Sequence, residues 1–243
     1  MKTVSIIIPA YCEEAFIGEL LRRIREVDVR PLGFEMEIVV VDDCSKDKTS
    51  EVASSFPGVR VIRHEVNRGK GRAVQTGIRA CTGDYVLVQD ADLEYDPRDY
   101  LPMLRALAEG GERTVVYGSR TRGTIARRNG KPWFPGRHPQ QSFGPYVAGL
   151  LLTAWTFSLY GKLITDTLTA YKLYPTDAIR ALDIKTHGFE TDHEITAKLL
   201  RRGYRIVEVP IDYAPRGVEE GKKIKPRDGF VAVWTLLRYR LAD

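Results

Sequence analysis

Cysteine and long apolar runs are both scarce in this sequence. The 243 residues include three cysteines, Cys12, Cys44 and Cys81, which are odd in number and too widely spaced for a CxxC metal or redox motif. This use of cysteine is typical of a reducing compartment. No stretch reaches the roughly 18 apolar residues of a membrane span, and Pro9 interrupts the apolar start too early for a signal peptide. We therefore expect a cytoplasmic protein.

The composition also excludes disorder and fibrous repeats. Apolar residues make up 43% of the chain and charged residues 28%, a balance that is typical of globular domains. A chain of this length buries roughly 70–75% of the surface that it exposes when unfolded, so it needs no disulfide or metal to fold. The sequence has no internal repeat and no linker, and we expect a single domain over residues 1–243.

Acidic residues are absent from one long stretch. Between Arg113 and Thr165 there are eight basic residues and no acidic one. Residues 1–112 carry 15 basic and 20 acidic side chains, whereas residues 113–243 carry 22 and 12, so the net charge of +5 is the remainder of −5 and +10. The basic half predicts an anionic partner.

Apolar β-branched runs alternate with helical patterns in the first half of the chain. The runs suit strands that are buried on both faces, and they lie at Val4–Ile8, Ile38–Val41, Val59–Ile62 and Tyr85–Val88. Helical periodicity covers Ala15–Val27, Thr49–Phe56 and Lys70–Ala80. This alternation predicts an α/β fold with a Rossmann-like, mainly parallel sheet and helices on both faces. Ligands of such sheets bind at the carboxyl ends of the strands.

The pattern changes after residue 111. A strand at Thr114–Tyr117 is followed by a loop over residues 119–141 that is rich in Gly, Pro and Arg, and loops of this length are usually functional or disordered. The apolar run Val147–Tyr160 is interpreted as a helix of the core or of a membrane interface. The remaining expected elements are a helix at Glu190–Arg201, a strand at Arg205–Tyr213, a basic segment over residues 214–228 and a helix at Gly229–Leu241.

Three acidic residues follow the fourth strand, in the sequence Gln89-Asp90-Ala91-Asp92-Leu93-Glu94. Asp90 and Asp92, with Glu94 as a third carboxylate, offer the oxygen ligands that hard divalent cations prefer. A cation held there would neutralise a diphosphate leaving group. The alternative is an acidic turn that caps a helix starting near Pro97. The position after a buried strand favours the metal site.

Two adjacent carboxylates, Asp42 and Asp43, follow the second strand, and Pro9-Ala10-Tyr11-Cys12-Glu13 follows the first. Asp42 and Asp43 would also serve as helix caps. One acid is enough for a cap, however, and two adjacent carboxylates repel each other at a cost that a structural role does not offset. The three strand ends together therefore predict a ligand site.

The motif series resembles that of the family 2 inverting glycosyltransferases. Within that family it is most similar to the branch that transfers mannose or glucose to dolichyl or polyprenyl phosphate. The motifs are Ile8–Glu13, Val41–Thr49, Asn67–Gly71, Gln89–Glu94, Tyr117–Arg120, Thr165–Leu173, Phe189–Ile195 and Arg216 with Glu220–Ile224. The resemblance covers nearly the whole chain. It implies a GT-A fold, a nucleoside-diphosphate sugar donor (a UDP- or GDP-hexose), and Mg²⁺ or Mn²⁺ as cofactor.

The resemblance also implies roles for individual residues. The donor would be bound by Pro9, Tyr11, Glu13, Asp42, Asp43, Lys70, Asp90, Ala91 and Asp92. The metal would be held by Asp92, Glu94 and Asp90. Phosphate of the acceptor or donor would be bound by Arg120, Arg137, Arg216 and Lys222. The catalytic residues would be Asp92, Arg120 and Glu194. Cys12 departs from the pattern, since asparagine is usual at its position.

The chemistry of the acceptor decides whether a base is needed. A phosphate monoester is already anionic near neutral pH, whereas a sugar hydroxyl must lose its proton to a carboxylate. Arginine binds phosphate through two parallel bonds, and the six basic residues from Arg120 to Arg137 favour a polyprenyl phosphate acceptor. The alternative is a hydroxyl of a soluble or glycan acceptor, with Glu194 or Asp192 as the base.

Two further expectations concern partners. A non-catalytic module that binds nucleotide sugar or nucleic acid is an alternative of another class, but the acidic motif would repel nucleic acid, and we expect none as a partner. Basic residues near an anionic bilayer contribute about 1 kcal/mol each and suit peripheral contact with the inner face of a membrane. The C-terminal residues of this kind are Lys222, Lys223, Lys225 and Arg227.

Overall fold

A computed structural model describes residues 1–127, 143–214 and 226–242 of the chain. Its strands are β1 (Lys2–Ala10), β2 (Phe34–Asp42), β3 (Val59–Arg63), β4 (Tyr85–Val88), β5 (Thr114–Ser119), β6 (Lys172–Pro175) and β7 (Arg205–Pro210). Its helices are α1 (Glu14–Glu26), α2 (Thr49–Ser54), α3 (Lys70–Ala80), α4 (Tyr100–Gly110), α5 (Arg120–Arg127), α6 (Phe143–Tyr160), α7 (Thr176–Arg180), α8 (Thr191–Arg201) and α9 (Pro226–Leu241).

The strands form one sheet in the order β3-β2-β1-β4-β6-β5-β7. Neighbouring strands are parallel except at β6, which runs antiparallel to β4 and β5. The expected mainly parallel sheet is confirmed. Because β2 and β3 lie on one side of β1 and β4 lies on the other, the strand order reverses between β1 and β4. Sheets of this kind open a crevice for ligands at such a reversal.

Side chains of β1 alternate between two apolar cores. Ile6 and Ile8 pack with Leu20 of α1 on one face of the sheet, and Ile7 packs with Val74 of α3 on the other. All three isoleucines are fully buried. Burying one isoleucine contributes about 1.5–3 kcal/mol, so a continuous apolar strand is favoured where helices cover both faces. The prediction of strands buried on both faces is confirmed for β1, β2 and β4, whereas it was wrong for β3, which is partly exposed because it lies at the edge of the sheet.

The boundaries of Lys70–Ala80 and Tyr85–Val88 agree with the prediction, whereas the loop expected over residues 119–141 begins with a helix. Its first part, Arg120–Arg127, forms α5, because Gly123 lets the helix approach the chain at Ile211 closely. A Cβ at Gly123 would lie 1.9 Å from the Ile211 carbonyl oxygen. The remaining residues of that loop lie outside the described ranges.

The apolar helix α6 belongs partly to the core and partly to the surface. Leu152 is buried with residues of α8 and α9 in a third apolar cluster. On the opposite side Leu151 and Phe157 are 64% and 52% exposed. Contact with the core is therefore confirmed for one side of the helix, and a membrane interface for the exposed side stays a prediction. In the described parts of the chain, none of the helices has the length and apolar character needed to cross a membrane.

Candidate active site

The carboxyl ends of β1, β2 and β4 meet at one edge of the sheet. Ala10 and Asp42 are paired in register, and the backbone N–H of Asp43 donates to the Ala10 carbonyl at 2.8 Å. The loops that follow both strands contain a residue in the left-handed region, Cys12 with φ 55° and Cys44 with φ 65°. Asparagine tolerates that region better than most residues, which agrees with the expectation from the resemblance that asparagine is usual at the position of Cys12.

Asp42 and Asp43 are buried and bonded to separate partners. Asp42 accepts from the backbone N–H of Ser45 at 2.8 Å, whereas Asp43 accepts from His64 Nδ1 at 2.7 Å and from the backbone N–H of Gly69 at 2.7 Å. Their side chains are 0% and 4% exposed. The sequence argument that a structural role does not offset their repulsion was wrong, because each carboxylate has its own donors. Contact of either with the donor stays a prediction.

The first loop lies against the second. The backbone N–H of Cys12 donates to Ser45 Oγ, and that of Glu13 donates to Thr49 Oγ1, both at 2.9 Å. Glu13 is buried, and Tyr11 is half-buried at the edge of the sheet. Pro9 is part of β1 and pairs in register with β2. The donor-binding residues predicted in and after β1 are thus gathered at one edge, and their contact with the donor stays a prediction.

Lys70 and Asp90 form an ion pair across the site. Lys70 Nζ lies 2.6 Å from Asp90 Oδ1, and both side chains are 21% exposed. The start of α3 can approach the loop before α8 because Gly71 has no side chain, since a Cβ there would lie 2.7 Å from the His187 carbonyl oxygen. Burial disfavours the charge of Lys70, but Asp90 and Asp192 outweigh it and raise the pKa of the ammonium.

Asp192 lines the same small cleft as Lys70. It lies in the first turn of α8, and its Oδ1 accepts from Lys172 Nζ at 2.9 Å. Burial tends to raise the pKa of Asp192, but Lys172 and Lys70 outweigh it and hold that pKa below its ordinary value. Burial lowers the pKa of Lys172 in spite of Asp192. The carboxylate is therefore ionised and lies between two ammonium groups.

Glu194 faces the loop before α8 rather than the cleft. It is fully buried, accepts from the backbone N–H groups of Lys185 and Thr186 at 2.9 and 2.8 Å, and pairs with Lys198 at 2.8 Å. Burial favours the neutral acid, but Lys198 and the loop donors outweigh it and lower the pKa of Glu194. Such a carboxylate is not placed to take a proton from an acceptor, so the geometry does not favour the catalytic role predicted for Glu194.

The acidic motif after β4 is fixed at both ends. Gln89 is buried and its Oε1 accepts from the hydroxyls of Tyr100 and Tyr171 at 2.6 and 2.5 Å, while its Nε2 donates to the Asp90 carbonyl at 2.8 Å. At the other end, Glu94 Oε2 accepts from the Tyr213 hydroxyl at 3.0 Å. The motif is thus held against the segment that leads into the basic stretch after residue 214.

In the described parts of the chain, the carboxylates of the motif do not by themselves form a three-ligand cation site. Across residues 1–127, 143–214 and 226–242, no group of three or more His, Cys, Asp or Glu side chains is arranged to hold a metal ion. Asp92 and Glu94 are half-buried beside the Lys70–Asp90 pair. Mg²⁺ is usually bound by one or two carboxylates plus substrate phosphates. Two carboxylates that shared a cation with a bound diphosphate would agree with this coordination, and the metal site stays a prediction.

Arg120 is held at the start of α5 by Asp166. Asp166 accepts from Arg120 Nε at 2.7 Å and Nη2 at 2.8 Å, and the guanidinium carbon lies 5.0 Å from the ring centroid of Tyr213. Burial disfavours the guanidinium charge, but Asp166 outweighs it and raises the pKa of Arg120. Glu208 in turn accepts from the backbone N–H of Asp166 at 3.0 Å. Phosphate binding by Arg120 stays a prediction.

The other predicted phosphate ligands, Arg137, Arg216 and Lys222, lie outside the described residues. Three residues that sequence reasoning did not select support the site, namely Gln89, Lys172 and Glu208. Lys172 carried a usable signal, because a charged residue interrupts the apolar run Tyr171–Tyr174. Gln89 and Glu208 carried none, because their importance depends on partners that are distant in sequence.

Known proteins show where the chain belongs. The pattern of glycosyl transferase family 2 matches residues 5–160. A dolichyl-phosphate beta-glucosyltransferase of Trichomonas vaginalis is 29% identical over 86% of this chain and 65% of its own length. An undecaprenyl-phosphate 4-deoxy-4-formamido-L-arabinose transferase of Edwardsiella ictaluri is 32% identical over 91% of this chain and 63% of its own. The chain thus spans somewhat less than two thirds of these two relatives.

Solved structures show the same fold. Glucosyl-3-phosphoglycerate synthase of Mycobacterium tuberculosis, determined with Mn²⁺, UDP-glucose and phosphoglyceric acid, superposes with a TM-score of 0.69 at 20% identity. The match covers 100% of this chain and 81% of that one. At 20% sequence identity, the structural similarity shows a shared fold and nothing more. The chain belongs to glycosyl transferase family 2 and has the GT-A fold.

Proposed function

We propose that this protein is an inverting, divalent-metal-dependent transferase that moves a hexose from a nucleoside-diphosphate sugar to a polyprenyl phosphate. One observation carries the proposal. The acidic motif after β4 and the anchored Arg120 flank the same side chain, Tyr213, which bonds to Glu94 and stacks near the guanidinium. The proposed site for a metal-bound diphosphate and the proposed site for an anionic acceptor would thereby be adjacent.

The donor side would use the carboxylates and Lys70. Asp92 and Glu94 would hold a divalent cation, which supplies positive charge to the departing diphosphate. Lys70 would pair with a donor phosphate, and Asp90 would contact the sugar nucleotide once it is released from Lys70. The complexes of the mycobacterial synthase with Mn²⁺ and UDP-glucose support a donor and cofactor of this class.

The acceptor side would use positive charge rather than a base. Asp192 is the described carboxylate that lines the cleft, and its pKa is held low by two lysines, so it is a weak proton acceptor. A phosphate monoester needs no base. The names of the two relatives, one acting on dolichyl phosphate and one on undecaprenyl phosphate, support the same class of acceptor.

Transfer to lipid tests the proposal directly. The protein is incubated with Mn²⁺, radiolabelled UDP-glucose or GDP-mannose, and undecaprenyl or dolichyl phosphate, and label is counted in the organic phase. We expect lipid-extractable label with at least one donor, lost on Asp92→Asn. The anomeric configuration of the product, compared with the donor by NMR, tests inversion. Label that appears only on water-soluble acceptors, and is lost on Asp192→Asn, would establish a hydroxyl acceptor instead.

The surface of α6 and α9 supports a bilayer as the place where the acceptor is met. Eight of the thirteen exposed large apolar residues in the described parts of the chain lie on these two helices. Phe230, Trp234 and Leu241 recur at helical spacing on α9 and are 80%, 62% and 78% exposed. Arg238 and Arg240 are exposed on the same helix. An apolar stripe flanked by arginines suits an interface with anionic lipid.

Vesicle binding tests this contact. Wild-type protein is sedimented with phosphatidylglycerol-containing vesicles, with neutral phosphatidylcholine vesicles in parallel. We expect binding to the anionic vesicles that weakens with salt, and a clear loss for the Phe230→Ser/Trp234→Ser double variant. Val66→Ser is the matched control, because Val66 is 58% exposed on a different surface. Equal sedimentation of all three proteins would contradict a role for the α9 stripe.

A further inference from the structure

A lysine without solvent exposure occupies the middle of the sheet. Lys172 is the first residue of β6, pairs in register with Val88 of β4 and Tyr117 of β5, and is 0% exposed. Burying an ammonium costs several kcal/mol, and apolar replacements of buried ion pairs are often as stable or more stable. Stability alone therefore gives no reason for a lysine at this position, and its contacts point to the site.

The Lys172 ammonium is directed to one carboxylate. Its Nζ donates to Asp192 Oδ1 at 2.9 Å and to the Thr167 carbonyl at 3.3 Å, and it lies 5.2 Å from the ring centroid of Tyr117. Asp192 is not fully buried as Lys172 is, because its side chain is 25% exposed. One end of this carboxylate is therefore fixed from inside the sheet while the other remains open to the cleft.

The open end of Asp192 shares the cleft with Lys70. The cleft is lined by both residues, and Lys70 in turn binds Asp90 at 2.6 Å. Charges thus alternate from the interior outwards: Lys172 is positive, Asp192 negative, Lys70 positive and Asp90 negative. Asp90, Asp192 and Asp92 all act to raise the pKa of Lys70, and Asp192 is tied to the sheet by the buried Lys172.

We propose that Lys172 is a positioning residue for donor binding. Lys172 holds the Asp192 carboxylate in the cleft, and Asp192 keeps Lys70 in place when Asp90 turns from Lys70 to the sugar nucleotide. The inference deepens the proposed function and rests on it, because a donor phosphate is the group that Lys70 would meet. Neither Lys172 nor its ion pair needs to touch the substrate.

Removal of the Lys172 charge is the central measurement. Lys172→Met keeps a similar length without the ammonium, and UDP-glucose and GDP-mannose are titrated calorimetrically against wild type and variant with Mn²⁺ present. We expect the donor that binds wild type to bind the variant at least about tenfold more weakly, which corresponds to about 1.4 kcal/mol. In steady-state transfer, the donor KM should rise by a similar factor while kcat changes little, as expected when a binding contact is lost.

Helix α8, which carries Asp192, also offers a matched control. Lys198 is 2% exposed and pairs with the buried Glu194 at 2.8 Å, but neither residue lines the cleft. Lys198→Met should lower Tm as Lys172→Met does. Its donor affinity should stay within about twofold of wild type, because Lys198 does not line the cleft and distant sites act independently of each other. The Lys172→Met/Asp192→Asn double variant removes both charges, and it should recover Tm without recovering donor affinity.

Each result of these measurements either supports or overturns the inference. Unchanged donor affinity in a folded Lys172→Met protein overturns the inference, as does an equal loss in Lys198→Met, because the effect would then follow stability. If Lys172→Met does not fold, the double variant carries the measurement, and wild-type affinity in it overturns the inference. If wild type itself binds neither nucleotide sugar, the proposed function fails and the inference fails with it.

Discussion

Asp99 is a carboxyl group that binds its proton more tightly in the folded protein than an ordinary aspartate does. Burial raises its pKa to about 7, and the nearby carboxylates of Asp212 and Asp96 act in the same direction, against a bond from the Asp212 N–H and the charge of Arg127. The folded state therefore binds this proton more tightly than the unfolded state does. Between about pH 4 and pH 7 this group makes the protein less stable as the pH rises.

Replacing Asp99 with asparagine should remove this decrease in stability at higher pH. The amide oxygen can still accept from the Asp212 backbone N–H, which donates to Asp99 Oδ2 at 2.8 Å. We expect Asp99→Asn to raise the free energy of unfolding at pH 8 by about 1 kcal/mol, a figure reduced for partial solvent screening. Urea unfolding at pH 8 and pH 4 measures the difference. A gain of the same size at both values would show that titration of Asp99 is not the cause.

Residue types at the site were predictable, whereas their partners were not. Asp90 and Asp92 were selected because carboxylates after a buried strand favour a ligand, and the structure places them at the reversal between β1 and β4. Asp42 and Glu194 are as acidic in sequence, yet both are fully buried and bonded to nearby loops. Whether a carboxylate faces a cleft or a loop depends on long-range packing that one sequence does not record.

At the scale of elements, the approach of α3 to the loop before α8 sets the geometry of Lys70. A Cβ at Gly71 would lie 2.2 Å from Thr191 Oγ1 and 2.7 Å from the His187 backbone. The backbone cannot move aside as a flexible side chain can. Gly71→Ala should therefore separate the two elements, lower the free energy of unfolding by about 1–3 kcal/mol, and weaken donor binding. Denaturant unfolding and donor titration measure the two effects.

Gly149 provides the comparison for that substitution. It lies in α6, and a Cβ there would meet nothing within 4 Å. Alanine inside a helix is about 0.5–1 kcal/mol more stable than glycine, so Gly149→Ala should stabilise the protein. If Gly71→Ala is stabilising as well, the close approach of α3 to residues 187–191 would be contradicted.

Strands and helices with a strongly periodic apolar pattern were predicted well, because that pattern depends on the local sequence alone. The run Tyr85–Val88 and the helix Lys70–Ala80 each bury a regular set of apolar side chains. Helix α5 was missed because its residues are mostly polar and basic, and what favours it is Gly123 packing against Ile211. Strand β6 was not predicted from the sequence, and its antiparallel direction is set by pairing with β4 and β5, which are distant in sequence.

At the scale of the whole molecule, the net charge of +5 is divided between two chemical tasks. Residues 1–112 carry −5 and contain the acidic motif, while residues 113–243 carry +10. An anionic diphosphate is repelled by carboxylates such as Asp92 and Glu94 unless a cation lies between them. Anionic lipid or phosphate needs no such mediator in the basic half, where attraction is screened by salt. We therefore expect ligand binding by the acidic half to depend on a divalent cation, and ligand binding by the basic half to depend on the salt concentration.

Chelation and salt should separate these responses in the intact protein. With Mn²⁺ present, UDP-glucose or GDP-mannose should raise Tm, because a ligand at about 100 times its Kd stabilises the native state by about 2.7 kcal/mol. EDTA should abolish that shift while leaving sedimentation with anionic vesicles unchanged. Raising NaCl from about 0.1 to 1 M shortens the screening length from about 10 to 3 Å. This change should weaken sedimentation with anionic vesicles and leave the donor-induced shift of Tm unchanged. A donor-induced shift that survives EDTA would remove the cation from the proposed site, and the carboxylates of Asp92 and Glu94 would then need another role.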